Sequence, residues 1–311
     1  MICINFIKFS LFRRLGVNME RLQQHKWVSC FFLSVLLVFV ALIGRNLYQS
    51  NYSLISISYR IQIKKIQKQI RFVQITDIHN NEFGINNQGL IDLAAEQSPD
   101  LILITGDLLN ANESRTDIAT DLISALSKIA PVYVSLGNHE VEYQQNYGTD
   151  IAQLYEDAGA RVLDRQYQDL EVNGQKIRLG GIYGYCLPEK YLETNEADPE
   201  ECAFLSDFQN TDLYTILMCH MPVCWLLNDG LDEWDVDCIF SGHVHGGQVI
   251  LPSIGGVYAP DMGWFPGRLQ GLYSSADGSS TMILSTGLGN TESVPRFNNI
   301  PEVVTVDILP K

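Results

Sequence analysis

Basic side chains are scarce in most of this chain. Eleven of its 21 lysines and arginines lie at or before Arg71, together with only one of its 36 aspartates and glutamates. The residues after Arg71 therefore carry 10 basic and 35 acidic side chains, a net charge of −25. A surface this acidic repels the phosphate backbone of DNA and RNA, so we expect no nucleic-acid partner. The same carboxylates favour divalent cations.

Cysteine pairs with the spacing of redox or zinc sites are also missing. The five cysteines after Arg71 include no Cys-x-x-Cys pair, and their number is odd. We therefore expect them to be small buried hydrophobic side chains rather than disulfides or a zinc-thiolate site. They are Cys186, Cys202, Cys219, Cys224 and Cys238.

Charge is absent from residues 27–44, a run of 18 residues near the N-terminus. At about 1.5 Å per residue such a helix nearly spans a hydrocarbon core of about 30 Å. A buried core helix would rarely be apolar on every face, and no small-residue cleavage pattern follows the run, as a signal peptide would require. We predict a single-pass transmembrane anchor at 27–44, preceded by a basic flank at 1–26.

Basic residues around the predicted anchor indicate its orientation. Five precede the run, whereas the 20 residues after it contain Arg45, Arg60 and Lys64. This bias favours a cytoplasmic N-terminus, and hence a cell-membrane protein with an extracytoplasmic body. Residues 45–69 form a basic juxtamembrane linker and a first strand, either solvated or close to anionic headgroups.

Strand-like and helix-like segments alternate from residue 70 onward. Apolar runs at 70–77, 100–107 and 131–140 end in polar residues, and each is followed by a helical pattern. This order predicts a parallel sheet with right-handed crossovers. The second half contains more strands, with hairpin turns at Asn173-Gly174 and Asp277-Gly278. We predict one α/β domain at 70–311, with two packed sheets and helices outside.

Histidine is rare, yet five of the six histidines follow predicted strands. Ligands of an open α/β sheet bind at the carboxyl ends of its strands. Imidazole and carboxylate without thiolate suit Mn, Fe, Co, Ni or Zn. Two carboxylates and four or five imidazoles exceed the needs of one ion, and two ions together catalyse displacement at phosphate esters. The candidate residues are Asp77, His79, Asp107, Asn138, His139, His220, His243 and His245.

Five short blocks contain these residues, and their order resembles a known family. The blocks are Asp-x-His at Asp77, Gly-Asp at Asp107, Gly-Asn-His-Glu at 137–140, an isolated His220 and Gly-His-x-His at 242–245. In this order they resemble the calcineurin-like metallophosphoesterases over nearly all of residues 70–309. The Gly-Gly-Gln that follows and the apolar N-terminal run resemble the bacterial membrane-anchored branch, which includes phosphodiesterases acting on UDP-diacylglucosamine-type lipids. The resemblance implies an α-β-β-α four-layer sandwich of two mixed sheets flanked by helices.

The resemblance also implies a role for each residue. One metal would be bound by Asp77, His79 and His245, and the other by Asn138, His220 and His243, with Asp107 bridging both. His139 would protonate the leaving alkoxide rather than bind metal, and Glu140, where an aspartate is frequent, would orient His139. The two ions would be divalent, from among Mn, Fe and Zn, with manganese the first choice.

We therefore expect a membrane-anchored dinuclear-metal phosphohydrolase. It would cleave phosphodiester or pyrophosphate bonds by attack of a metal-bridging hydroxide, on a phosphoester substrate that is a lipid or a nucleotide-linked lipid. A phosphomonoesterase or protein phosphatase stays open, as does a non-catalytic metal-binding or lipid-binding module, although the leaving-group acid His139 argues against the module. No obligatory protein partner is indicated. The aromatic residues Trp225, Trp234, Trp264 and Phe265 either line a lipid-facing entrance or belong to the core.

Overall fold

The structure is a computed structural model that describes residues 19–267, 269–290 and 294–311. It contains two compact units, Met1–Tyr48 and Gln49–Lys311. Of the predicted basic flank, residues 1–18 lie outside the described residues. For residues 19–26 the structure describes the helical backbone alone.

Helix α1, Met19–Tyr52, contains the predicted membrane span. Among the described residues it is the one helix long and apolar enough to cross a membrane, from Trp27 to Tyr52. Those 26 residues extend about 39 Å at 1.5 Å per residue. All side chains from residue 27 to 42 are exposed. A signal sequence can have the same length and apolar composition, so the anchor stays a prediction.

Fifteen strands within the described residues form two six-stranded mixed sheets and one small sheet. The strands of the first sheet are β1 Ile55–Ile63, β2 Ile70–Ile75, β3 Leu101–Thr105, β4 Val132–Ser135, β5 Arg161–Val162 and β15 Glu302–Pro310. Those of the second are β6 Gln166–Val172, β7 Gln175–Ile182, β8 Tyr214–Cys219, β9 Cys238–Ser241, β13 Gly271–Ser274 and β14 Thr281–Leu284. The small sheet contains β10 Ile250–Leu251, β11 Gly255–Ala259 and β12 Gly263–Gly267.

Strand order places the motif-bearing strands in the middle of each large sheet. The orders are β1-β15-β2-β3-β4-β5 and β13-β14-β9-β8-β7-β6. Strands β2 to β5 are parallel to one another, as are β7, β8, β9 and β14. The hairpins predicted at the Asn-Gly and Asp-Gly turns are the antiparallel pairs β6–β7 and β13–β14.

Helices cover the outer faces of the two large sheets. They are α2 Gln88–Glu96, α3 Asp117–Leu126, α4 Asn138–Tyr147, α5 Ile151–Asp157, α6 Pro199–Phe208, α7 Val223–Leu227 and α8 Gly230–Glu233. Leu90 and Leu122 pack with Ile104 outside the first sheet, and Leu205 packs with Leu217 outside the second. Between the sheets, the rings of Phe72 and Phe240 lie 5.9 Å apart. This is the four-layer α-β-β-α order that the sequence predicts.

Strand β1 lies before residue 70, the predicted start of the domain, and pairs with β15 along its whole length. Several basic residues of this region bind carboxylates of the domain. Lys65 Nζ lies 2.8 Å from Asp237, and Arg71 forms a bidentate pair with Asp307 at 2.7 and 3.0 Å. Arg71 therefore links β2 to β15, and Lys65 links the segment after β1 to the second sheet.

Candidate metal centre

The sequence-predicted site residues converge from both large sheets. Asp77 and His79 follow β2, Asp107 follows β3, and Asn138 and His139 begin α4 after β4. From the second sheet, His220 follows β8, and His243 and His245 follow β9. All of them except Asn138 and His139 are buried, and those two are half-buried. The carboxyl ends of five parallel strands thus supply one cluster, as the topology requires.

Left-handed backbone is concentrated at this cluster. The φ angles of Asp77, His79, Asp107, His243 and His245 lie between 46° and 71°. Such a conformation costs an L-residue about 1–2 kcal/mol, although Asp and His tolerate it better than most. The surrounding strands and hydrogen bonds offset this cost, so the fold holds these side chains in a conformation that their own backbone disfavours.

Asp77, His79 and His245 form the first half of the cluster. The Nε2 atoms of the two imidazoles lie 3.2 Å apart, and His245 Nε2 lies 3.6 Å from Asp77 Oδ1. Burial lowers the pKa of each histidine to about 3, so both rings are neutral at pH 7. Within the part of the chain that the structure describes, their buried Nδ1 atoms have no hydrogen-bond partner. Two neutral imidazoles facing each other beside a carboxylate fit a divalent cation better than they satisfy one another.

Asp107, His220, His243 and Asn138 form the second half. Asp107 Oδ2 lies 3.2 Å from His220 Nε2, and it also lies 3.7 Å from His79 Nε2 in the first half. Asn138 Oδ1 lies 3.2 Å from His220 Nε2 and 3.0 Å from His243 Nδ1. Three groups of side chains, Asp77-His79-His245, His79-Asp107-His139 and Asp107-His220-His243, each have their ligand atoms within 4.8 Å of one another. Asp107 faces both halves, which is the position that a shared ligand needs.

The carbonyl of Thr105 selects the tautomer of His220. It lies 2.7 Å from His220 Nδ1, so Nδ1 carries the proton and Nε2 presents its lone pair to the cluster in the neutral ring. Burial lowers the pKa of His220, but the charge and hydrogen bond of Asp107 outweigh burial and raise that pKa to about 10. For Asp107, burial acts to raise the pKa, but the charge and hydrogen bond of His220 outweigh it and the net shift is downward. Without a metal cation, a protonated His220 therefore balances the carboxylate.

Glu140 does not orient His139, and that prediction is wrong. The carboxylate is fully buried and accepts four hydrogen bonds. Oε2 accepts from the backbone N–H groups of Asp107 and Gly137, both at 2.8 Å. Oε1 accepts from the N–H of Leu108 at 2.8 Å and from the hydroxyl of Tyr155 at 2.9 Å. The longer glutamate thus ties the loop after β3 to the start of α4.

His139 is positioned by a different group. The backbone N–H of Ala111 donates to His139 Nδ1 at 3.1 Å. Because Nδ1 accepts this bond, the proton of the neutral ring lies on Nε2. The ring packs edge-on against His79, with centroids 4.6 Å apart, and lines the cavity described below. His139 can therefore offer an N–H group to a molecule in that cavity.

Two motif glycines leave room for the carboxylates. A Cβ atom on Gly137 would overlap Oδ1 of Asp107, and one on Gly242 would overlap Oδ2 of Asp77. Neither overlap can be relieved without moving a carboxylate out of the cluster. These two glycines therefore make space for the carboxylates.

Residues outside the motifs also hold the cluster, and sequence reasoning missed them. Asp261, in the turn between β11 and β12, places Oδ2 3.1 Å from His243 Nε2. Asn299 donates to the carbonyl of His245 at 2.6 Å, and the buried guanidinium of Arg296 donates to Asn299. No local pattern marks Asp261 or Asn299, because the histidines that they contact are distant in the sequence.

A cavity of about 530 Å³ opens beside the cluster. Its polar side contains Asp107, Asn138, His139, His243 and His245. The other residues that line it are mostly apolar: Val244, Gly247, Gln248, Val249, Val257, Tyr258, Pro260, Trp264 and Val294. Of the four aromatic residues in question, Trp225 and Trp234 are buried core, whereas Trp264 is 71% exposed and Phe265 is 56% exposed.

The fold and the cluster together define a metal-dependent hydrolase of the dinuclear class. Residues 70–247 match the family described as Calcineurin-like phosphoesterase, and the chain belongs to that family. The chain is a metal-dependent phosphoesterase. The family and the residue cluster indicate a dinuclear divalent metal site.

Two bacterial relatives match most of the chain. The uncharacterized metallophosphoesterase YkoQ of Bacillus subtilis is 25% identical over 283 residues, which cover 86% of this chain and 95% of YkoQ. The phosphodiesterase YaeI of Escherichia coli is 27% identical over 245 residues, which cover 76% of this chain and 80% of YaeI.

Solved structures of similar fold have lower identity. A 5'-nucleotidase precursor from Thermus thermophilus matches 78% of this chain and 54% of its own, with 13% identity and a TM-score of 0.47. A dimetal phosphatase from Danio rerio matches 76% of this chain and 91% of its own, with 13% identity and a TM-score of 0.41.

Proposed function

We propose that the chain is a membrane-anchored phosphodiesterase or pyrophosphatase whose substrate carries an apolar chain. The observation that carries this proposal is the lining of the cavity, which combines polar residues of the metal cluster with several apolar side chains. The phosphate would lie against the polar residues and the apolar substituent against the apolar side chains. The phosphodiesterase relative YaeI supports the reaction type.

We assign one metal to Asp77, His79 and His245, and the other to Asn138, His220 and His243, with Asp107 shared. The close approach of the ligand atoms within each set, and the position of Asp107 between the sets, support this division. When bound, two divalent ions supply the nucleophile by lowering the pKa of water, and they neutralise the charge of the phosphate. Imidazole, carboxylate and amide ligands suit manganese, iron or zinc, and manganese is the first choice.

His139 acts on the leaving group. Its Nδ1 accepts the N–H of Ala111, which leaves an N–H at Nε2 on the cavity side of the ring. That group can donate to a phosphoryl oxygen and then protonate the leaving alkoxide. We therefore expect His139→Ala to keep its bound metal and lose activity, and Asp107→Ala to lose metal. Unchanged metal stoichiometry in Asp107→Ala would refute the shared-ligand assignment.

The charge of the cavity favours a diester or pyrophosphate over a phosphate monoester. None of the described residues that line it is a lysine or an arginine. A monoester dianion concentrates two negative charges on one phosphate, and phosphate sites commonly meet that charge with Arg or Lys. A diester carries one charge, which two divalent ions neutralise without help.

Hydrolysis of two chromogenic esters tests this preference. The full chain, purified in detergent and loaded with Mn²⁺, should release nitrophenolate from bis-p-nitrophenyl phosphate faster than from p-nitrophenyl phosphate. A preference for the monoester would show a phosphomonoesterase instead. No turnover of either ester after metal loading would indicate a non-catalytic binding module.

Substitutions of Trp264 and Phe265 test whether the apolar residues of the cavity bind substrate. Both are exposed and adjacent, but Trp264 lines the cavity and Phe265 does not. We expect Trp264→Ala to raise the KM for a diester with a long acyl chain several-fold and to leave hydrolysis of the nitrophenyl ester unchanged. Phe265→Ala should match the wild type on both substrates. Equal effects of the two variants would contradict substrate binding by these apolar residues.

We assign α1 to the membrane, with the domain on the extracytoplasmic side. The exposed, uncharged surface of residues 27–42 and the basic residues before it support this orientation. The chain should stay in the membrane pellet after alkaline carbonate extraction. Protease added to intact spheroplasts should digest the domain. Release by carbonate would indicate a cleaved signal, and protection from protease would place the domain in the cytoplasm.

A further inference from the structure

Three cysteines, distant in sequence, come together beside the metal centre. Cys186 lies in the loop after β7, Cys219 ends β8, and Cys224 lies in the short helix α7. Cys186 Sγ lies 2.9 Å from Cys224 Sγ and 3.8 Å from Cys219 Sγ. All three side chains are buried in the apolar layer outside the second sheet. In the structure the five cysteines after Arg71 are buried and free, as expected, but the sulfur atoms of Cys186 and Cys224 are in direct contact.

The distance between Cys186 and Cys224 is shorter than ordinary packing gives. Non-bonded carbon atoms in proteins rest about 3.5–4.0 Å apart, and sulfur is larger than carbon. A sulfur–sulfur distance of 2.9 Å therefore indicates two side chains directed at one another within reach of a covalent bond. Side-chain hydrogen bonds are consistent with this pairing. Trp225 Nε1 donates to Cys219 Sγ at 3.3 Å, and Trp234 Nε1 donates to the carbonyl of Cys186 at 3.1 Å.

A metal–thiolate site does not fit the same geometry. Thiolates that share a tetrahedral zinc ion, with Zn–S bonds of about 2.3 Å, stand about 3.8 Å apart. Cys186 and Cys219 have that spacing, but Cys186 and Cys224 are too close. The third sulfur, that of Cys219, also accepts a hydrogen bond from the indole of Trp225.

We propose that Cys186 and Cys224 form a structural disulfide that joins the loop after β7 to helix α7. Two S–H bonds break and one S–S bond forms; two protons and two electrons pass to the disulfide of a thiol-oxidising protein, which becomes a dithiol. Burial raises the pKa of the Cys186 thiol in the folded chain, so the exchange takes place during folding, before the pair is covered. The inference does not depend on the proposed reaction.

The disulfide closes a loop of 38 residues around the metal ligand His220. Both joined segments follow the carboxyl ends of strands, β7 and β8, and His220 directly follows β8. The bond would stabilise the fold mainly by restricting the unfolded chain. Disulfides persist in oxidising compartments, so a pair joined in cells also places the domain outside the cytoplasm.

Trapping of thiols in cells tests the proposal on the wild-type chain. Cells that carry the full chain in their membrane are lysed directly into denaturant with excess maleimide, and the chain is digested without reduction and mapped by mass spectrometry. We expect one pair of peptides joined through Cys186 and Cys224, with Cys202 and Cys219 carrying maleimide. Maleimide on Cys186 or Cys224, or a bond from either to Cys219, would overturn the assignment.

Thermal unfolding supplies a second readout with a matched control. For a loop of this length, reductant should lower the Tm of the purified full chain by roughly 5–15 °C. Cys224→Ala should show no reductant-dependent change in Tm. Cys202→Ala removes a buried thiol of the same apolar layer and should keep the full shift. An equal Tm of the wild type with and without reductant would count against a structural disulfide.

Discussion

Replacing Glu140 by glutamine tests whether one buried carboxylate holds the metal centre together. Each carboxylate oxygen accepts two hydrogen bonds: Oε2 from Asp107 and Gly137, Oε1 from Leu108 and Tyr155. Glutamine keeps one oxygen and replaces the other by an NH₂ group, which would face two donors. The NH₂ should turn toward Tyr155, because that hydroxyl can rotate to accept.

The expected loss of stability follows from these four contacts. The N–H of Leu108 would lose its partner while buried, which costs about 1–3 kcal/mol. The two bonds that remain, from Asp107 and Gly137, would lose the charge on their acceptor, at about 1 kcal/mol each. We therefore expect Glu140→Gln to lower the free energy of unfolding by roughly 3–5 kcal/mol. Because the same bonds fix the backbone of Asp107, metal affinity should fall as well.

Urea unfolding of the full chain in detergent, followed by tryptophan fluorescence, measures this loss. Tyr155→Phe removes one of the four donors and should cost about 1–2 kcal/mol. Glu142→Gln, an exposed change on the same helix, should lie within about 0.5 kcal/mol of the wild type. If Glu140→Gln is no less stable than Glu142→Gln, the carboxylate does not hold the two loops and the reasoning fails.

Three further predictions concern charge. Asp261→Asn should weaken binding of one of two metal ions about 10–100-fold, because the carboxylate orients His243. If the variant and the wild type have the same metal content after dialysis, the carboxylate does not act in this way. Metal binding should release about one proton from His220, whose pKa is raised to about 10 in the ion-free chain, so metal affinity should rise with pH up to that value. Calorimetry in buffers of different ionisation enthalpy measures this proton release, and a result of no released proton would contradict the prediction. The Arg71 hydrogen bond lowers the pKa of Asp307, so above about pH 4 the wild type should be about 1–3 kcal/mol more stable than Asp307→Asn. This difference in stability should disappear as the pH falls through the lowered pKa of Asp307. Urea unfolding curves that give the same difference between the two proteins at pH 7 and at pH 3 would contradict this.

Local patterns in the sequence predict much of the fold. The run from Leu101 to Ile104 is apolar at every position because strand β3 is buried on both faces, between a helix layer and the second sheet. Turn residues at Asn173-Gly174 and Asp277-Gly278 predict the two hairpins for the same local reason. The pairing of β1 with β15 could not be predicted, because it joins segments some 240 residues apart.

The site residues, too, fall into those that local patterns predict and those that depend on distant segments. Asp77, His79 and Asp107 stand directly after apolar strands, and parallel strands bring their carboxyl ends together, so position in the sequence indicates position in space. No such rule predicts the contacts of Glu140 and Asp261. The partners of Glu140 are set by how α4 crosses the loop after β3, and the partner of Asp261 depends on the small sheet that carries it beside His243.

The sequence by itself determines the chemistry of this protein: the donor set of imidazoles, carboxylates and an amide, its placement after strands, and the membrane-length apolar run. Those features depend on residue type and short spacing, which the chain carries whatever its tertiary structure. Only the tertiary structure decides that Glu140 binds backbone instead of His139, that Trp264 is exposed while Trp225 is buried, and that Cys186 meets Cys224. Each of these depends on which distant segment packs against the side chain, and short-range patterns carry no information about that partner.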